Sequence, residues 1–212
     1  MSDFQSTLWT LIRGADRGDE AALREFALKY RTPVVAYVTR RGFAREADDL
    51  AQEVFLRVFQ DRVLSKADPS RGRFRSLLLS VTRHVIGHHV ERQLARKRGA
   101  GEVGPLEGVE PAAPASDEAF DREWVGHLIE VALARLAREH PAYHEALRRF
   151  LLEDASAAEA ARALGRSEQD VHNHLHRGRK KLADYLREQV RDYSSSRADY
   201  DEELDYLSRF FP

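Results

Sequence analysis

The stretch GAGEVGPLEGVEPAAPASDE, from Gly99 to Glu118, limits the possible folds more than any other part of the chain. It is rich in Gly, Pro and Ala, and its few apolar residues recur at neither helical nor strand spacing, so ordering its backbone would bury almost nothing. Helical periodicity resumes on both sides of it. A chain interrupted in this way predicts two separate cores. We read residues 1–98 as a first domain, 99–116 as a flexible acidic linker, 117–190 as a second domain and 191–212 as a C-terminal extension. With 212 residues and 42% hydrophobic content, there is enough apolar mass for a core in each domain. Alternation with a period of two never persists, so the expected fold class is all-α.

Composition excludes several functions. The absence of Cys removes disulfides, thiolate metal sites and cysteine nucleophiles together. No stretch approaches the roughly 18 consecutive apolar residues of a membrane span. The start, MSDFQSTLWT, lacks a basic region followed by an apolar run. The expectation is a cytoplasmic protein with no membrane contact. Net charge is −1, but it is segregated. From Arg71 to Arg98 there are eight Lys or Arg against one acid, Glu91, while from Glu102 to Glu123 seven acids face one base, Arg122. Local positive excess is a footprint for a polyanion. An acidic tether beside it can shield the basic face, imitate a nucleic-acid strand or simply keep the linker in water.

In the first domain, Asp19 predicts an N-cap for a helix through about Tyr30, and Pro33 a second helix from Val34 to Arg41 that Gly42 closes. From Arg45 to Gln60, Leu50, Val54 and Val58 supply apolar mass. Asp49, Gln52, Glu53 and Leu56, three and four residues apart, make a separate mixed face. Asp68-Pro69-Ser70 signals a turn. The basic stretch then carries Phe74, Leu77, Leu78, Val81, Val85 and Ile86 at helical spacing. Alone it would read as a core helix with solvated basic ends.

A second basic helix shifts that balance. After one helix from Asp117 to Arg138, with Phe120, Trp124, Leu128, Ala132 and Leu136 as its stripe, and another opened by Pro141, the sequence reads SAAEAARALGRSEQDVHNHLHRGRKKL. Ser156 with Glu159 and Ser167 with Asp170 form two capping boxes, and Gly165 ends the short helix between them. Two helices around a Gly-containing turn, the second basic, is the helix-turn-helix pattern. The tail presents Tyr200, Leu204, Leu207 and Phe211 on one face. It is expected to fold against its own second domain, with a partner or an autoinhibitory site as the alternative.

Taken in order, these segments resemble the extracytoplasmic-function type of bacterial sigma factor, the two-domain subunit that gives RNA polymerase its promoter choice. The resemblance rests on three motifs. Asp48-Asp49-Leu50-Ala51-Gln52-Glu53-Val54-Phe55 is similar to the family's polymerase-binding helix. Arg73-Phe74-Arg75-Ser76-Leu77-Leu78 is similar to the start of its minus-10 helix. Glu159-Ala160-Ala161, Leu164-Gly165-Arg166-Ser167, Val171 and His176-Arg177-Gly178-Arg179 are similar to its minus-35 reader. The resemblance implies a sigma2-like bundle and a sigma4-like helix-turn-helix domain, with the linker in the RNA exit path, and a protein with no catalytic residues, no metal and no cofactor.

Residue by residue, it implies that Asp48, Asp49, Gln52, Glu53 and Leu56 meet the β′ clamp helices of core RNA polymerase, with the β flap as a further partner surface. Arg73, Arg75, Arg83, His84 and His88 would hold the melted minus-10 strand. Arg166, Ser167, Gln169, His172, Asn173, His176, Arg177, Arg179 and Lys180 would lie at the minus-35 groove and its phosphates. The family often has Asn at His84, Asp at His88, Thr at Asp170 and Arg at His174, which implies an altered minus-10 pocket and weaker minus-35 affinity. GRFRSLLL, Lys97-Arg98-Gly99 and the longer tail are similar to a subgroup associated with serine/threonine kinases. That implies a kinase, in place of or beside an anti-sigma factor, as regulator, and Ser194 to Ser196 or the tail as the controlled element.

Two other readings compete. His84 with His88 and His172 with His176 have the spacing that lets two imidazoles share a metal. Neither pair has the intervening Glu of a zinc hydrolase, and both sit among cations. A free-standing helix-turn-helix regulator explains Arg162 to Lys181 but leaves the first domain's acidic face and basic helix without a purpose.

Overall fold

A computed structural model describes residues 20–60, 74–99, 117–153 and 155–210. Asp19, the Asp68-Pro69-Ser70 turn, Arg73, the linker beyond Gly99 and Phe211 lie outside the described residues. Among the described residues there are eight α-helices and no strand: α1 Glu20–Arg40, α2 Ala47–Gln60, α3 Phe74–Gly99, α4 Asp117–Glu139, α5 Pro141–Leu152, α6 Ala157–Leu164, α7 Glu168–Tyr193 and α8 Arg197–Ser208. They group into two compact units, one of residues up to Gly126 together with those from Arg191 onward, the other of His127–Val190. Helices α4 and α7 therefore each contribute to both.

In the first unit, α1 is one helix, not the two that Pro33 predicts. Tyr30, Val34, Tyr37 and Val38 fall on one face and are all buried. An interior proline costs about 3 kcal/mol, but each large apolar side chain buried on that face returns roughly 1.5–3 kcal/mol, so packing carries the helix through. Gly42, at φ 92°, closes the chain turn as expected, with the Phe43 amide donating to the Val38 carbonyl at 3.3 Å. Helix α2 buries Leu50, Ala51, Val54, Phe55 and Val58, and α3 buries Phe74, Leu78, Leu79, Val85 and Ile86.

An aromatic cluster explains where this unit ends. Trp124 stacks on Tyr30 with ring centroids 5.4 Å apart and meets Tyr193 edge-on at 5.5 Å, while Phe120 meets Tyr37 edge-on at 5.3 Å. The apolar stripe along α4 is thus divided. Phe120 and Trp124 fill the first unit's core, whereas Ala132 and Leu136 belong to the second. The division between the two units falls within α4, between Gly126 and His127, whereas composition changes at Asp117, because composition marks where the chain stops being Gly- and Pro-rich and not which core an aromatic enters.

The extension also differs from expectation. Its buried stripe is Tyr200, Glu203 and Leu207, with Leu204 only half-buried. Glu203 reaches Arg75 of α3, and the Tyr206 hydroxyl donates to Asp121 of α4 at 2.5 Å. The tail therefore docks on α3, which belongs to the first domain as read from the sequence, and on Asp121 of α4, which falls within the second domain as drawn at 117–190. A carboxylate on the buried face needs a cationic partner there, and α3 supplies it.

The second unit packs the remainder of α4 with α5, α6 and most of α7 around Leu136, Leu147, Ala161, Val171 and Leu175. Pro141 stands at the start of α5. Ser156 caps α6 in a complete capping box with Glu159, and Gly165 ends that helix at φ 60°, ψ 38°. The left-handed conformation costs an L side chain roughly 1–2 kcal/mol, so glycine fits the turn between the two helices.

Candidate nucleic-acid interface

In the second unit, the turn at Gly165 delivers the chain into α7, whose Ser167 hydroxyl accepts from the Asp170 amide at 3.1 Å. One side of α7 carries Val171, Leu175 and Gly178 inward. Gly178 has a packing reason: a Cβ there would lie 2.9 Å from Leu147 Cδ1 and 3.3 Å from Tyr143 Cβ, so only glycine lets α7 approach α5 this closely. The opposite side, offset by three and four residues, presents Gln169, His172, Asn173, His176, Arg177 and Lys180, all exposed. The Gln169 amide donates to the Asn173 carbonyl oxygen at 3.5 Å, leaving further donors and acceptors for base edges. Arg166 and Ser167 are exposed at the turn, and the exposed Arg179 guanidinium lies 5.1 Å from the centroid of the Phe150 ring.

The start of α7 is already occupied by an anion. Hydrogen bonds from the Ser167 side chain and backbone hold the Asp170 carboxyl below its ordinary value, so it stays charged on the helix dipole. A phosphate approaching that helix end meets a carboxylate. The exposed cations that a polyanion would meet near that helix end and along α7 are Arg166, Arg177, Arg179 and Lys180.

In the first unit, α2 separates two faces. Its core side is closed, while Asp48, Asp49 and Gln52 are exposed and Leu56 keeps 46% of its surface in water. Asp48 pairs with Arg31 at 2.5 Å. Glu53 borders this face differently. It accepts from Arg92 of α3 at 2.8 Å and from Arg57 at 3.0 Å. Burial alone would raise its carboxyl, but the hydrogen bonds and charges of Arg92 and Arg57 outweigh that and lower it. Arg92, one of the basic residues counted toward a polyanion site, is thus engaged with an acid of its own unit.

The minus-10 candidates on α3 are split. Arg83, His84 and His88 are exposed, the two imidazoles meeting edge-on at 4.3 Å and His88 Nδ1 lying 3.3 Å from Glu91. Arg75 is not with them. Only 3% of its surface is exposed; its Nε donates to Glu203 Oε1 at 2.9 Å, it pairs with Asp121, and its guanidinium lies 4.7 Å from the Tyr206 ring centroid. Sequence reasoning misses the partners Asp121, Glu203 and Tyr206. A signal for the burial is nevertheless present on α3 itself, since Arg75 precedes Leu78 and Leu79 by three and four residues and so shares their buried face.

Two segments of the chain match family models. Residues 26–96 match sigma-70 region 2, and residues 128–182 match sigma-70 region 4. A search of curated proteins returns no match. The first match takes in α2 with its exposed acidic face and most of α3; the second takes in the helix-turn-helix and its exposed basic side. Among the described residues no helix is long and apolar enough to cross a membrane. With both regions present in order, covering together more than half of the 212 residues, the chain belongs to the sigma-70 family of transcription-initiation factors.

Proposed function

We propose that the chain is a sigma factor of the extracytoplasmic-function type, which binds core RNA polymerase and directs initiation through minus-10 and minus-35 contacts. The observation that carries this reading is the exposed Asp49, Gln52 and Leu56 face of α2 within the region 2 match, because a free-standing DNA-binding regulator has no use for it. The proposal assigns polymerase binding and minus-10 capture to residues 1–98 and minus-35 recognition to 117–190. Asp48, Asp49, Gln52, Glu53 and Leu56 engage the clamp helices. Arg73, Arg75, Arg83, His84 and His88 hold the melted strand, and the exposed side of α7 reads the duplex.

The chain performs no covalent chemistry in this scheme. Minus-35 contacts position the polymerase, and capture of an unstacked base at minus-10 favours the melted state. Two modest contacts in one chain raise each other's effective concentration. As to control, Ser196 is exposed at the start of α8 whereas Ser194 is buried. Ser195 is half-buried with its hydroxyl donating to Asp199 at 3.0 Å, so a kinase acting on the serine run finds Ser196 the most accessible, and Ser196→Ala should remove most of the labelling.

Fluorescence anisotropy on promoter duplexes tests the reading. Weak binding by the chain alone and tight binding with core polymerase support it. Tight binding alone, unchanged by core polymerase, would instead make the chain a free-standing regulator. Replacing Arg83 and His88, both exposed on α3, with Ala should impair melting more than recruitment, and equal loss of both contradicts that division of labour.

A further inference from the structure

We propose that α8 is a displaceable latch on the minus-10 side of the first unit, holding Arg75 out of reach of DNA until the helix leaves. The inference rests on the reading of Arg75 as a minus-10 contact and adds how that contact is controlled. Each guanidinium nitrogen of Arg75 faces a carboxylate in the latched state: Nε and Nη2 go to Glu203, at 2.9 and 3.3 Å, and Nη1 faces Asp121. Tyr206 of α8 lies over the guanidinium and donates to Asp121, while Tyr193 donates to Glu203 at 3.1 Å. A phosphate and Glu203 would compete for the same planar fork, since a guanidinium binds either in the same bidentate manner.

Helix α8 is suited to leave. It is 12 residues long, too short to persist without packing. It carries Asp199, Asp201, Glu202, Glu203 and Asp205 against one base, Arg197, so its charge imitates the nucleic acid that would replace it. Its docking depends on a few buried positions, Tyr200, Glu203 and Leu207. Buried ion pairs add little net stability relative to apolar packing, which suits a contact made to be exchanged.

The test uses the full chain and reads Arg75 directly by phenylglyoxal modification and peptide mass spectrometry, with exposed Arg45, which has no assigned DNA contact, as the internal reference. Leu207→Ala loosens α8 without altering charge, and Glu203→Gln removes the competing carboxylate at constant size. Circular dichroism establishes that each variant is folded, and either suffices. In the native chain Arg75 should react far more slowly than Arg45. Release should speed its reaction and tighten binding of a fluorescent single-stranded 20-mer of random sequence by about tenfold, the gain when a state populated about a tenth of the time becomes dominant. Added oligonucleotide should then protect Arg75 again.

Unchanged Arg75 reactivity in a folded variant, or oligonucleotide binding that leaves Arg75 reactive, overturns the latch. Neither readout uses polymerase. Failure of the sigma reading appears separately, as loss of core-dependent binding and transcription, and is distinguishable from failure of the latch.

Discussion

At the scale of single residues, Gly178 and Ser156 make opposite kinds of contribution. Gly178 matters for what it lacks, since an added side chain enters space held by Leu147, which is fully buried and has little freedom to move. Gly178→Val should lower stability by roughly 1–3 kcal/mol through overpacking, read as a lower urea midpoint. Ser156 matters for a hydroxyl that accepts from the Glu159 amide, and Ser156→Ala should cost about 1 kcal/mol. The capping boxes and Gly165 are legible in the sequence because caps are local and each has few chemical solutions. The role of Gly178 is not, because it depends on another helix. Arg75 shows its register beside Leu78 and Leu79 in the sequence, but not the partner that lets a charge be buried there, Glu203, 128 residues away.

At the scale of elements, the proposed minus-35 role gives the exposed side of α7 two tasks that substitution should separate. Gln169→Ala or His172→Ala should reduce discrimination between minus-35 sequences while leaving nonspecific binding nearly unchanged. Arg177→Ala or Lys180→Ala should weaken all sequences alike and reduce the salt slope of binding by about 1 for each phosphate no longer neutralised. A salt titration of holoenzyme on matched and scrambled minus-35 duplexes separates the two. The helices themselves are legible from apolar periodicity, but Pro33 divides α1 in the sequence because a local rule outweighs a stripe that only tertiary packing completes. A tail stripe of Tyr200, Leu204 and Leu207 passes over Glu203, because an acid is ordinarily solvated and only a buried cation makes it an inward residue.

At the scale of the whole molecule, carboxylates held by tyrosine and arginine predict how stability follows pH. The Tyr185 hydroxyl and then Arg135 hold Glu139 at about 2, and Arg148 chiefly holds Glu145 at about 2, against about 4.3 for an ordinary Glu. A carboxyl depressed in the folded state is protonated first in the unfolded chain, so its contribution is present above about pH 4.3 and is lost as pH falls toward 2. The thermal midpoint should be flat near neutrality and fall between about pH 4.5 and 2, and Glu145→Gln should make that fall shallower. The division into two helical parts is legible in the Gly- and Pro-rich break. The assignment of Phe120, Trp124 and the tail is not, because aromatics announce burial without naming the core they enter.

The central claim is that the exposed face of α2 joins this chain to core polymerase, and transcription in vitro tests it most directly. Purified chain and core enzyme on a library of short genomic templates should give promoter-specific transcripts that fall sharply with Asp49→Ala and Gln52→Ala. Both side chains are exposed, so the fold should be unaffected. Transcripts indifferent to both changes, or none at all alongside firm duplex binding by the chain alone, would contradict the account.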